Sequence, residues 1–114
     1  MLGSVVVVSV RGLVPGSGDV VYVGRKCGGW MGSVLGNRFV IGQDGDRLEV
    51  IQKYKCWLWD EYRSGGGVRC LVDWLVLRVR SGGRVVLGCW CHPLACHGDV
   101  IRDLVLWLVD QEVL

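Results

Sequence analysis

Side chains that can act as nucleophiles, proton carriers or acids crowd into one short stretch late in the chain. Cys91, Cys96, His97 and Asp99 lie within nine consecutive residues, and both histidines of the chain fall there. A thiolate beside an imidazole can attack an electrophile, and a carboxylate can orient the imidazole. The stretch therefore predicts a reactive site in which Cys96 or Cys91 supplies the thiolate, His97 or His92 carries the proton and Asp99 orients the ring.

Two other interpretations of the same residues remain open. A tetrahedral zinc site can be drawn from Cys89, Cys91, Cys96 and His97, although a one-residue gap along a strand spreads the sulfur atoms and adjacent Cys-His ligands are awkward. No cofactor is predicted, and zinc is the one cofactor that these residues could bind. The other interpretation is structural: the cysteines are small buried apolar side chains, His97 is a satisfied loop residue and Asp99 caps a helix.

The stretch is predicted to join a strand to a helix. A strand runs from Arg84 to Cys91, and a final helix runs from Asp99 to about Glu112. Ligands of open α/β sheets bind beyond the carboxyl ends of the strands, where backbone amides and helix starts converge. Gly98 is accordingly a candidate ligand-binding residue. The free N–H groups of the helix start are expected to lower the pKa of the Cys96 thiol.

Hydrophobic periodicity predicts the earlier elements. β-Branched runs predict strands at Ser4 to Val10 and Val20 to Val23, with a short extended piece at Arg38 to Ile41. Helical spacing predicts helices from Asp46 to about Arg63, with a capping box at its start, and from Val68 to Val79. The order β-β-(β)-α-α-β-α predicts an α/β fold, a small three- or four-stranded sheet covered by about three helices.

Composition bounds the functional class. The 114 residues are predicted to form a single domain over 1–114, because chains divide into separate cores only at greater length. With 51% hydrophobic and 21% charged residues, the chain can fill a core, and this composition excludes intrinsic disorder of the entire chain. The net charge of +2 gives nucleic-acid binding little support.

Targeting patterns predict a cytoplasmic protein. The run Val5 to Val8 lacks the basic flank and cleavage site of a signal peptide, and no stretch is long and apolar enough to span a membrane. The six cysteines do not follow a secreted disulfide pattern, so mostly free thiols are expected. Oligomerisation through apolar helix faces is compatible with Trp59, Trp74 and Trp107.

Four motifs carry a resemblance to a known family. They are Tyr22-Val23-Gly24-Arg25, Gly36-Asn37-Arg38-Phe39, the helix entry Asp44-Gly45-Asp46-Arg47 and above all Cys89-Trp90-Cys91-His92-Pro93-Leu94-Ala95-Cys96-His97-Gly98-Asp99. Together they resemble the phage and bacterial family known as domain of unknown function 4326. Arg38 stands where the family pattern has proline. The resemblance implies a compact α/β domain in the cytoplasm of a bacterial or phage-infected cell, and it supplies no reaction.

The residue patterns and the family resemblance together predict one polar crevice. Arg25, Asn37 and Arg47 are candidate ligand-binding residues, since a guanidinium at a strand end or a helix start can hold a phosphate or carboxylate in two hydrogen bonds. The sequence predicts binding of a nucleotide-like or other anionic small molecule and leaves its processing open. The alternative is a non-enzymatic interaction module in which the Cys/His cluster staples the fold, with or without zinc.

Overall fold

Three helices and three strands of the described residues position the late cysteine-histidine stretch. The structure, a computed structural model, describes residues 2–16 and 18–111. In chain order the elements are β1 (Ser4–Ser9), β2 (Val20–Tyr22), α1 (Arg47–Ser64), α2 (Gly67–Arg80), β3 (Arg84–Cys89) and α3 (His97–Asp110). The fold is therefore α/β, with the predicted element order and without the optional strand.

The three strands form a parallel sheet in the order β1-β3-β2. Val6 and Val20 both pair with Val86 of the central strand, so all three strands point the same way. Alternate residues of β1 and β3, such as Val5, Val7 and Leu87, are buried in the core that the helices share. Because the strands are parallel, their carboxyl ends lie together at one edge of the sheet.

Local sequence explains where the helices begin and end. Asp46 caps α1: its Oδ1 accepts a hydrogen bond from the Glu49 backbone N–H at 2.9 Å, and Glu49 Oε1 accepts from the Asp46 N–H at 3.1 Å. This is the predicted capping box. Gly65 ends α1 with a φ of 85°, a conformation that other residues rarely adopt. At the far end of α3, the Arg80 guanidinium donates to the carbonyl oxygens of Leu108 and Val109.

The extended piece predicted at Arg38 to Ile41 is not a strand. Side chains, rather than a neighbouring strand, hold its backbone donors: the Phe39 N–H donates to Asn37 Oδ1 at 2.9 Å, and the Val40 N–H donates to Asp44 Oδ2 at 2.7 Å. These turn-type hydrogen bonds compete with strand pairing. The sheet consequently has three strands in the part of the chain that the structure describes.

Two boundaries at the cysteine-histidine stretch also differ from the prediction. The strand β3 ends at Cys89 rather than Cys91, and α3 begins at His97 rather than Asp99. The predicted end of that helix, Glu112, lies outside the described residues. Within the described ranges, no helix is long and apolar enough to cross a membrane.

Candidate functional site

A crevice of about 680 Å³ opens at the carboxyl edge of the sheet. Its walls come from the segment after β2, the loop before α1, the first part of α1, the end of β3 and the start of α3. The lining residues are 24–27, Asn37, 39–41, Val50, Trp90, Cys91 and His97. Small-molecule sites fall in this range of volumes, and this edge of a parallel sheet is where they usually occur.

A chain of aromatic contacts fixes the wall that carries Arg25. The Tyr22 hydroxyl donates to the Arg25 carbonyl oxygen at 2.5 Å, and Trp90 Nε1 donates to that same hydroxyl at 2.8 Å. The Tyr22 ring also stacks on Trp30, with ring centroids 5.0 Å apart. The backbone is therefore held in place while the Arg25 and Lys26 side chains remain exposed at the crevice.

Another part of the crevice lining contains Asn37 in a turn. Its Oδ1 accepts the Phe39 N–H, and its amide nitrogen has no hydrogen-bond partner among the described residues. Tyr54 of α1 supports this loop by donating its hydroxyl to the Leu35 carbonyl at 2.5 Å. Burial raises the Tyr54 pKa, so that hydroxyl keeps its proton. Asn37 thus offers two amide hydrogens for a bound molecule.

His97 forms the inner end of the crevice and is only 8% exposed. Its Nε2 lies 2.6 Å from the Val23 carbonyl oxygen, and a carbonyl can only accept, so Nε2 carries the proton. Burial lowers the His97 pKa, which keeps the ring neutral near pH 7 and leaves Nδ1 without a proton. Among the described residues, Nδ1 has no hydrogen-bond partner, and the side-chain atoms there that are both fully buried and unpartnered are Trp57 Nε1 and Arg80 Nε. We infer that Nδ1 meets solvent at the crevice.

Cys96 does not face the crevice. It is 3% exposed, and its Sγ lies 3.1 Å from the Sγ of Cys89, which is fully buried. The hydrogen bond from Cys96 lowers the Cys89 pKa against the opposing effect of burial, whereas that hydrogen bond and burial both raise the Cys96 pKa. The helix start alone predicted a lowered pKa for Cys96, and this was wrong because the neighbouring thiol decides which sulfur loses its proton.

Three other candidates serve the fold around the crevice. Asp99 Oδ2 accepts the Cys96 backbone N–H at 3.1 Å, and its Oδ1 lies 3.5 Å from Arg102 Nη1, so it closes the start of α3. Arg47 Nη1 donates to the Ala95 carbonyl at 3.0 Å. Gly98 is buried, and a Cβ there would lie 3.0 Å from Val7 Cγ1, so glycine allows close packing of α3 on β1.

The structure brings together four of the predicted site residues and separates the rest. Arg25, Asn37, Cys91 and His97 line the crevice, whereas Cys96, Gly98, Asp99 and Arg47 do not. Within residues 2–16 and 18–111, no three His, Cys, Asp or Glu side chains are grouped so that they could hold a metal ion. The alternative zinc ligands Cys89, Cys91, Cys96 and His97 are therefore not assembled into a set.

Sequence reasoning missed several lining residues. Lys26 follows Arg25 directly and adds a second cation, a signal that was present in the sequence. Phe39, Val40 and Ile41 form an apolar wall because their loop turns toward the crevice instead of forming a strand. Trp90, whose side chain could either stack on a base or pack in the core, is half-buried and borders the crevice.

Comparison with known proteins agrees with the motif resemblance. A family model described as Domain of unknown function (DUF4326) matches residues 11–107. That range covers most of the chain, including β2, the Arg25 wall and the whole cysteine-histidine stretch. No curated protein and no solved structure matches the chain.

Proposed function

The chain belongs to the family described as a domain of unknown function (DUF4326), and we propose that it binds an anionic, nucleotide-like small molecule in the crevice. The observation that carries the proposal is the charge of the walls. Arg25 and Lys26 line the crevice, and no carboxylate is among the described residues that do. Two cations without a counter-charge favour an anion such as a phosphate.

The remaining walls fit the uncharged part of a nucleotide. Phe39, Val40, Ile41 and Trp90 offer apolar and aromatic surface on which a base or sugar can pack. The amide hydrogens of Asn37 and the unprotonated Nδ1 of His97 offer one donor and one acceptor at fixed positions. A molecule with an anionic end, a flat apolar part and both donors and acceptors satisfies all of these groups.

Cys91 and His97 are the two crevice groups of the cysteine-histidine stretch that can take part in chemistry on a bound molecule; the exposed thiol of Cys27 also lines the crevice. The Cys91 thiol is half-buried on the wall, while burial keeps His97 neutral and the Val23 carbonyl orients its ring. The Val23 carbonyl, rather than Asp99, orients the ring, so an acid–base role for His97 does not require that carboxylate. Processing of the ligand rests on these two side chains.

The test is a calorimetric titration of the purified protein with AMP, GMP, CMP, UMP and inorganic phosphate. We expect binding of at least one mononucleotide that is tighter than binding of phosphate alone, and that weakens as salt is raised. Arg25→Gln should weaken it by roughly tenfold, the value of one lost charge-assisted hydrogen bond. The matched control is Arg84→Gln, which removes an exposed arginine at the amino end of β3.

Two outcomes contradict the proposal. One is that no mononucleotide and no phosphate binds at millimolar concentration to a chain that remains folded. The other is that Arg25→Gln and Arg84→Gln weaken binding equally, because general surface charge rather than the crevice would then attract the anion.

A further inference from the structure

Two thiols that the proposed binding site does not use lie in contact behind the crevice wall. Cys89 Sγ and Cys96 Sγ are 3.1 Å apart, and both side chains are buried. Cys89 is the last residue of β3, and Cys96 is the residue that caps α3. The contact therefore joins a strand end to a helix start and closes residues 90–95 into a short loop.

We propose that Cys89 and Cys96 form a reversible disulfide when the protein meets hydrogen peroxide, and that this bond staples residues 90–95, which include the crevice residues Trp90 and Cys91. The sulfur atoms need to approach from 3.1 Å by only about 1 Å to reach bonding distance. The proposal does not depend on the identity of any ligand.

The reaction proceeds in two balanced steps. The Cys89 thiolate attacks one peroxide oxygen, the O–O bond breaks, and the released hydroxide takes up a proton to leave as water. The Cys96 sulfur then attacks the Cys89 sulfenic acid, the S–O bond breaks, and the hydroxide leaves with the Cys96 proton as a second water. The two thiols lose two electrons and two protons, and peroxide is reduced to water.

The surroundings of Cys89 suit it to be the attacking sulfur. The hydrogen bond that it shares with Cys96 at 3.1 Å, together with the backbone N–H groups of Cys91 and His92, lowers its pKa. Cys89 is fully buried, so the small, uncharged peroxide reaches it only when the loop of residues 90–95, where Pro93 and Leu94 are exposed, opens locally. A second thiol in contact then captures the sulfenic acid before another peroxide can oxidise it further.

The exposed cysteines lack this arrangement. Cys27, Cys56 and Cys70 are exposed free thiols, and none has another thiol in contact among the described residues. Replacing these three by serine leaves a chain whose remaining thiols are Cys89, Cys91 and Cys96. That chain is the background for the test, and the unsubstituted protein provides exposed thiols as an internal reference for the rate of oxidation.

The experiment treats this background chain with hydrogen peroxide, blocks free thiols by alkylation and digests it with chymotrypsin. Cleavage after Trp90 and Leu94 places the three cysteines in separate peptides. We expect a mass loss of about 2 Da, a peptide pair linked through Cys89 and Cys96, reversal by dithiothreitol and a melting temperature several degrees higher than that of the reduced chain.

Control variants test whether the disulfide joins Cys89 to Cys96 or involves the neighbouring Cys91. Cys91→Ser should leave the linkage unchanged, whereas Cys96→Ser and Cys96→Ala should abolish it and let Cys89 proceed to sulfinic acid. The proposal fails if the linked pair contains Cys91. It also fails if Cys89 and Cys96 stay reduced after the exposed thiols of the unsubstituted protein have been oxidised. The mapping uses the natural cysteine pair, so it decides the question even where a Cys96 variant does not fold.

Discussion

Arg47 donates a hydrogen bond from Nη1 to the carbonyl oxygen of Ala95 at 3.0 Å, across 48 positions of sequence. Arg47 is the first residue of α1, and Ala95 lies in the loop between β3 and α3. The first helix thus holds the loop that carries Trp90 and Cys91 at the crevice. A guanidinium used in this way supports the wall of the site and does not line it.

Arg47→Ala should therefore loosen the loop. We expect the free energy of unfolding to fall by about 1–2 kcal/mol, because one hydrogen bond with a charged donor is lost. Amide hydrogen exchange in residues 90–96 should become faster by a larger factor than exchange in α2, which follows only the loss of global stability. Arg84→Ala is the control, because Arg84 is exposed at the far end of β3. Loss of AMP binding without faster exchange would instead place Arg47 in contact with the ligand.

Tyr22→Phe tests the support of the Arg25 wall. The change keeps the stacked ring and removes the hydroxyl that donates to the Arg25 carbonyl and accepts from Trp90 Nε1. We expect a loss of about 1–2 kcal/mol in urea unfolding, together with weaker AMP binding, since the segment that carries Arg25 and Lys26 is no longer fixed.

Tyr62→Phe is the matched control for that prediction. It removes a hydroxyl that donates to Asp73 Oδ1 at 2.6 Å, between α1 and α2 and outside the crevice lining. A comparable loss of stability with unchanged AMP affinity is expected. Equal loss of affinity in both variants would show that affinity follows general stability rather than the Arg25 wall.

The fold could be predicted from the sequence where local signals and tertiary packing agree. Asp46 and Glu49 form the expected capping box, and the buried residues of α1 recur at the spacing that places them on one face. The failures occur where a side chain competes with the backbone. The side chains of Asn37 and Asp44 accept hydrogen bonds from the backbone N–H groups of residues 39 and 40, so this run of strand-like sequence does not pair as a strand.

The site could be predicted only in part, because position along the chain does not reveal what a side chain meets in space. Arg25 and Asn37 line the crevice with Cys91 and His97, although four separate segments supply them. Arg47 was an equally good candidate for ligand binding from its place in the sequence, but its guanidinium donates to the Ala95 carbonyl oxygen instead. The contact between Cys89 and Cys96 depends on how β3 meets α3, a relationship that spacing alone does not fix.

Gly88→Ala tests close packing on the sheet face opposite the helices. A Cβ at this position would lie 2.5 Å from Val20 Cγ1 and 2.6 Å from Val10 Cγ1, so these valines or the strands must move. We expect destabilisation of about 1–3 kcal/mol, typical of an overfilled core, in thermal or urea unfolding. Gly65→Ala is a different case, since nothing lies within 4 Å there and its cost comes from a positive φ.

A double change separates the packing effect from any other effect of alanine at this position. Val20→Ala removes the nearer methyl group, so Gly88→Ala should cost less in the Val20→Ala background than alone. Additive losses of stability would contradict the predicted clash.

Burial of His97 makes stability depend on pH. The unfolded imidazole has a pKa near 6.5, and the folded pKa is lower because burial disfavours the charged ring. Between these two values the unfolded chain binds more protons, so lowering the pH through this interval favours unfolding. The contribution of His97 is fully present above pH 6.5 and is lost as the pH falls toward the folded pKa.

His97→Gln should remove this dependence, because glutamine can still donate to the Val23 carbonyl from a position near Nε2 but does not titrate. We expect the free energy of unfolding of the unsubstituted chain to fall between pH 7 and pH 5 by at most about 1.4 kcal/mol per pH unit, with a flatter profile for the variant. Urea unfolding at several pH values measures both, and the difference in slope is the readout whatever the variant's overall stability. Parallel profiles would mean that His97 does not lose its proton on folding and that another group sets the dependence.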